Sequence, residues 1–414
     1  MELMFLVAFL LILAALYVAK GKNSIVNLSP GPRPLPFIGN FHLLKRSLHR
    51  SLSDLANQYG PIFSLRLGIR PVVIVSSPSL AQECFTKNDI TFAFRPRLAF
   101  GKYLGYNYMI ETLELLSSRK IEMFAYIQHE QVAALLQSIV EASDRGEVVN
   151  LKDSNEETMF NAIVKMVADK SYYGSGTKDL DEAKAFIEAI NDTFTLSGVL
   201  NIGDFIPWLS WLGLRGIRLM KALHRKRDRL MQHIVDEHRK LRSGEGHVFK
   251  PDFIHMLLDR KEEDPNYFTD DLIKSIIQVM IVAGTETTAV TLQWALALLL
   301  NHPDSLQKAQ TKLDQQVGRD RLYLRAIINE TQCLYPPAAT LLPHESTTTC
   351  TLGGYQKAQC SGFEGETIWF WEGRRSCPGM GLALRSLEYV LASLLHAFEW
   401  RKEGPEPVDM PASH

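Results

Sequence analysis

Close pairs of cysteine are missing from this sequence. Cys84, Cys333, Cys350, Cys360 and Cys377 are scattered over 414 residues, odd in number and without a C-x-x-C. That argues against a disulfide framework or a zinc site and fits a reducing compartment. Excess charge is missing too: 45 Lys and Arg stand against 46 Asp and Glu. A nucleic-acid partner would call for a strong basic excess, so none is expected. No Gly/Ser-rich or charged linker divides the chain, and one large domain is expected where length alone suggests two or three. Tryptophan is absent before Trp208. With 46% hydrophobic and 22% charged residues, the composition is globular, with enough apolar mass for a substantial core.

Residues 3–19 form an uncharged apolar run, at the lower edge of what spans a bilayer at ~1.5 Å per residue. Only Glu2 separates it from Met1, so the positive n-region of a cleaved signal peptide is missing. Lys20, Lys22 and Arg33 follow it, and positive flanks stay cytosolic. Residues 1–22 are therefore expected to be a single-pass signal anchor carrying a cytosolic domain, and the sequons at Asn27, Asn191 and Asn329 to carry no glycan. Within residues 23–40, Pro30 to Pro36 hold four prolines. Each fixes φ and restricts the residue before it, which gives a stiff hinge; a ligand for proline-binding domains is the alternative.

Residues 62–67 and 71–76 read as a hairpin, Ser77-Pro78 opens a short helix to about Lys87, and 155–170 and 180–198 read as helices. Phe205 to Leu212 holds Trp208 and Trp211 and precedes a very basic helix. Tryptophan beside apolar and basic residues suits a membrane interface. A solvated helix turning Leu219, Leu223, Leu230 and Ile234 inward fits the periodicity equally well. His224, His233 and His238 lie among charges and are expected to be solvated. The longest helix opens at Thr269, with Asp270 and Asp271 at its positive end, and stops before Pro303.

Two motifs carry chemistry. In the middle of the long helix, Ala283-Gly-Thr-Glu-Thr-Thr288 places an acid and hydroxyls in an apolar surround, where polar groups are costly to bury without cause. Gly284 thins one wall. A threonine-induced bend is the plainer reading. Near the C-terminal end, Phe370-Trp-Glu-Gly-Arg-Arg-Ser-Cys377-Pro-Gly-Met-Gly381 sets one cysteine between arginines and the head of another helix. Arg374, Arg375 and the helix N–H groups would favour a thiolate. Gly373 and Gly379 would let the chain turn tightly and approach a flat ligand. The stretch reads as an axial ligand to heme iron or as a buried structural cysteine.

Phe370, Gly373, Arg375, Cys377 and Gly379 fill every defined position of the pattern Phe-x-x-Gly-x-Arg-x-Cys-x-Gly. The chain thereby resembles the cytochrome P-450 monooxygenases, from the anchor to about Trp400, and within them the microsomal plant type and its isoflavone-hydroxylase-like group. The resemblance implies a mainly α fold with small β-sheets (α+β), with residues 41–414 forming a heme-thiolate domain on the cytosolic face of the endoplasmic reticulum membrane. It implies Cys377 as the iron's ligand, Arg375 at a heme propionate, Glu286 and Thr287 as the proton-delivering acid and alcohol, and Ala283 and Gly284 over the heme. It implies insertion of one oxygen atom from O2 into a hydrophobic, aromatic, flavonoid-like metabolite, with electrons from an NADPH-dependent reductase.

The sequence also departs from the family. After Tyr108 the expected Trp-x-x-x-Arg helix is missing, with Arg119 and Lys120 as possible substitutes. Glu330 is present, but Cys333 stands where its ion-pair arginine belongs, and Arg325 lies about 140° round the helix at ~100° per residue. Glu330 is therefore expected to be protonated or open to water. The later Pro-Glu-Arg-Phe segment and the terminal hairpin are absent. The first three of these gaps, all in supports of the heme, leave a second reading. It is a catalytically inactive or heme-poor membrane-anchored relative, from a decayed gene or a mis-spliced product, with at most a binding role.

Overall fold

The computed structural model describes residues 29–45, 47–109, 122–173, 180–197, 200–243, 252–315, 321–338, 340–357, 373–402, 404–408 and 410. The expected anchor, the first part of the hinge, Arg119, Lys120 and Phe370 lie outside the described residues.

The fold is mainly helical with two small sheets, as expected. In chain order it runs α1 (Leu48–Tyr59), β1 (Ile62–Leu67), β2 (Arg70–Val75), α2 (Pro78–Phe85), α3 (Ala99–Tyr103), α4 (Ala125–Asp144), α5 (Leu151–Ala168), α6 (Leu180–Ser197) and α7 (Ile202–Phe205). It continues through α8 (Leu214–Ser243), α9 (Phe253–Glu263), α10 (Asp270–Asn301), α11 (Pro303–Gln315), α12 (Arg321–Leu334), β3 (Cys350–Leu352), β4 (Tyr355–Lys357) and α13 (Met380–Ala397). β1 and β2 pair antiparallel with Ile62 opposite Val75 and Leu67 opposite Arg70. Their turn rests on α7: Ile69 N donates to Phe205 O at 2.9 Å. A Cβ on Gly68 would lie 2.2 Å from that carbonyl.

α10 is the axis. Thr269 caps it by accepting from Leu272 N at 3.3 Å, and Asp270 and Asp271 fill its first turn. It is long and apolar enough to cross a membrane, but most of it is buried inside the protein, so it is a core helix. Its first half packs with α5, α6, α8 and α9 through Ile273, Ile277, Phe160, Phe186, Ile234 and Ile254. Its second half packs with α4, α11, α12 and α13 through Leu292, Leu299, Leu135, Ile328, Leu391 and Leu394. Each such side chain contributes about 1.5–3 kcal/mol when fully buried.

α8 corrects two expectations. Its inward stripe is Met220, Leu223, Arg227, Met231, Ile234 and His238, while Leu219 faces solvent. Arg227, 1% exposed, donates to Thr193 Oγ1 and Leu104 O, each at 2.9 Å, and burial pushes its guanidinium down to about 10. His238 is buried rather than solvated. Its Nδ1 lies 2.7 Å from Ile234 O and its Nε2 2.9 Å from Asp252 Oδ2. Asp252 Oδ1 in turn accepts from the His255 backbone N–H, and lies 2.8 Å from His255 Nδ1. Burial opposes charge on His238, but the hydrogen bond and charge of Asp252 outweigh it and raise its pKa. These three groups could hold a metal ion, and their hydrogen bonds to one another tie α8 to α9.

Candidate heme-thiolate site

The cysteine loop is pinned to the segment after α2. Gly373 has φ +80°, and a Cβ there would lie 2.7 Å from Asp89 Oδ1 and 2.9 Å from Phe85 O. Only glycine suits that conformation and that approach. Arg374 donates its backbone N–H to Asp89 Oδ1 at 2.8 Å and sets its Nε 3.2 Å from Oδ2. Arg375 Nε donates to Ala93 O at 2.6 Å. Arg374 therefore serves to clip the loop down, a correction to its expected place beside the thiolate. Gly379 has φ −83°, and a Cβ there would meet no protein atom within 4 Å. That region is open to any residue, so the tight turn belongs to Gly373 alone.

Cys377 has the accessible surface of an exposed residue, yet protein crowds it enough that burial pushes its thiol up. The backbone N–H groups of Gly379 and Met380, at the head of α13, pull the other way. An accessible sulfur met by helix N–H groups is a donor suited to a metal, whose charge would deprotonate it.

A cationic corner adjoins the loop. Arg95 Nη1 donates to Leu342 O at 2.6 Å and Pro343 O at 3.1 Å. His344, buried, lies with Nδ1 2.6 Å from Phe92 O. Burial first, then the charges of Arg95 and Arg375, push His344 down to about 3, so it is neutral. Two guanidiniums from distant parts of the chain thus converge, a donor set that fits the two carboxylates of heme. Sequence reasoning found Arg375 and missed Arg95 and His344. The only local signal for Arg95 was an arginine before Pro96.

Above the loop, α10 and α13 pack together, and Leu382 of α13 joins the core cluster that Val282 packs against. In this stretch Ala283 is exposed while Ile281 and Thr285 are buried. Ala283, Glu286, Thr287 and Val290 share one helix face and are all at least partly exposed. Gly284 points elsewhere: a Cβ there would lie 3.0 Å from Ile163 Cδ1 of α5. It admits close packing of α5, while Ala283 forms the open wall. Thr287 Oγ1 donates to Ala283 O at 2.5 Å and Thr291 Oγ1 to Thr287 O at 2.7 Å, the back-bonding that bends helices. Glu286 Oε2 is buried without a protein partner. Burial chiefly, and the nearby Glu156, push this carboxyl up to about 7 against the pull of Lys152. An acid poised there can give and take protons at neutral pH.

The departures have structural counterparts. Glu330 is exposed on α12, open to water. Arg325 turns to α13 instead, its Nε 2.9 Å from Glu388 Oε1.

The family profile for cytochrome P450 matches residues 29–356. The chain is 38% identical to cytochrome P450 81Q32 of Catharanthus roseus, over 93% of this chain and 88% of that protein. It is 36% identical to isoflavone 3'-hydroxylase of Medicago truncatula, over 94% and 90%. It is also 36% identical to isoflavone 2'-hydroxylase of Glycyrrhiza echinata, over 93% and 88%. These alignments run over 445, 452 and 444 positions, more than the 414 residues of the chain. The relatives therefore hold segments that this chain lacks. Likeness of that extent, together with an accessible thiol at a helix head and an acid on the helix above it, leads to one assignment: the chain belongs to the cytochrome P450 family, the monooxygenases that bind heme through a cysteine thiolate.

Proposed function

We propose that the chain hydroxylates a hydrophobic aromatic metabolite of flavonoid type, drawing electrons from an NADPH-dependent reductase. The observation that carries this reading is the accessible Cys377 thiol at the head of α13, met by the N–H groups of Gly379 and Met380. Cys377 would be the metal ligand, Arg375 and Arg95 would hold the propionates, and Gly373 and Gly379, with Phe370 of the sequence motif, would serve the same cofactor. Heme bound there supplies activation of O2 and insertion of one oxygen atom into the substrate. Ala283 offers the substrate a small apolar wall. Glu286 holds a proton at neutral pH and passes it toward Thr287. The Thr287 hydroxyl must leave the Ala283 carbonyl to receive it. Isoflavone hydroxylases among the relatives support the substrate class.

Attachment to the endoplasmic reticulum membrane is part of this reading, supported by the apolar sequence of residues 3–19 and by an exposed apolar face. Trp208, Trp211, Leu212 and Leu214 are exposed, as are Leu35 of the hinge and Ile69 of the hairpin turn. Phe37 meets Trp208 edge-on at 6.2 Å and joins the hinge to this face. Exposed tryptophan with leucine suits the headgroup region.

The exposed Glu330, with Cys333 in place of its arginine, favours the second reading, a heme-poor relative. A reduced, carbon-monoxide-bound difference spectrum of the membrane-expressed protein decides between them. A red-shifted Soret band, lost in Cys377→Ala, is expected. No band from folded protein in the membrane would overturn the enzyme reading and leave the second.

A further inference from the structure

α5 packs against α10 more extensively than any other described helix does, and this interface is unusually polar for a core. Asn155 is fully buried, and neither atom of its amide has a protein partner. Glu156, half-buried, has an unpartnered Oε1. Across the interface, Thr285 Oγ1 and Glu286 Oε2 are in the same condition. Buried polar atoms without protein partners need solvent, since an unmet donor or acceptor costs about 1–3 kcal/mol. Such atoms on two adjoining helices are places where water can supply the missing partner. The far end of the interface is open: Lys152 and Asp153, one turn before Glu156, are exposed.

The charges acting on Glu286 come from α5, namely Glu156 and Lys152. Those on Glu156 are Lys152 and Asp153. Tyr173, just beyond α5, lies within reach of Glu156 and Glu157. Other charged groups around α10 are engaged elsewhere: Glu388 with Arg325, Asp228 with Lys274, and Asp270 with Arg239 and Lys261.

We propose that Glu156 is a positioning residue for Glu286, the two carboxylates holding one proton between them across a solvated seam that opens at Lys152 and refills Glu286. Two neighbouring carboxylates cannot both ionise freely, so the charge on Glu156 keeps Glu286 loaded. Each refilling breaks an O–H bond of a solvent hydronium and forms one on the Glu286 carboxylate; no electrons move. Lys152 limits the effect by drawing the pair toward ionisation. The proposal rests on Glu286 as the proton donor of the proposed reaction and adds where its proton comes from.

Infrared titration of the full-length protein in membranes tests it. The carboxyl stretch of Glu286 is assigned as the band missing from Glu286→Gln. Glu156→Gln is expected to bind that proton about tenfold more weakly, and Lys152→Met more tightly. A midpoint unmoved by both changes overturns the proposal. Should Glu156→Gln fail to fold, Lys152→Met at its exposed position decides alone, an unmoved midpoint again overturning it. The titration needs no heme and the carbon-monoxide spectrum needs no titration, so the failure of either reading is seen separately. A purely structural role for Glu156 would change stability and leave the midpoint in place.

Discussion

A buried acid records its surroundings in its proton affinity, and Glu286 shows how much of a residue's chemistry is set by its neighbours. Its ordinary value is 4.5, and in the fold it rises to about 7. Below the ordinary value the side chain is protonated in folded and unfolded chain alike, and nothing is lost. As pH rises from there through the folded value, the unfolded chain ionises first and the folded state loses stability. Glu286→Gln should therefore match the parent near pH 4 and exceed it near pH 8 by on the order of 1 kcal/mol, allowing for the partial exposure of the site. Urea denaturation at the two pH values measures this, and an equal gain at both would show that charge is not the cause. The acid itself was legible in the sequence, as an ionisable group in an apolar helix. Its tuning was not, because Glu156 lies on another helix, 130 positions earlier in the numbering. The glycines divide in the same way. The turn at Gly373 could be anticipated from the residue type, but only the contact with Asp89 and Phe85 separates it from Gly379, which no neighbour crowds.

Among the elements, α10 was legible from end to end because its signals are local: a threonine cap, acids in the first turn, an apolar interior and a proline after the end. α8 was legible as a helix and, through Leu223, Leu230 and Ile234, largely in its facing, but not in the polar residues on that face. Leucine positions suggested one stripe, whereas the fold turns Arg227 and His238 inward because Thr193, Leu104 and Asp252 meet their polar atoms. No expectation covered α4, whose buried Ile127, Val132, Leu135 and Ile139 are interleaved with buried Gln131 and half-buried Gln128. At α12 the missing arginine is answered by a different tie. Arg325 reaches Glu388, which is buried on α13. Arg325→Ala should cost about 1–3 kcal/mol, since it takes a charged partner from a buried carboxylate. Glu388→Gln in the same background should recover part of that loss. Thermal or urea unfolding of the two variants checks it, and an unchanged parent stability would mean that the pair does not hold α12 to α13.

For the whole molecule, the exposed tryptophans predict an orientation on the membrane. Trp211 is 63% exposed and Trp208 48%, on the face that carries Leu35 and Ile69. In vesicles containing brominated lipid the full chain should show tryptophan quenching, and Trp208→Phe with Trp211→Phe should remove most of it. Undiminished quenching in that double variant would place the contact elsewhere. This face joins the hinge, the hairpin turn and the segment before α8, and no one of them announces it alone.

By itself the sequence determined the cysteine loop, the acid–alcohol motif, the central helix and the family, because each depends on residue types at short, fixed spacing. Only the tertiary structure decided which charges meet. It set Arg95 and Arg375 beside a neutral His344, committed Arg374 to Asp89, and let the charge of Glu156 act on Glu286. Spacing along a helix is fixed by its pitch and can be read locally, whereas burial and the field at a side chain are sums over neighbours that the chain supplies from far away.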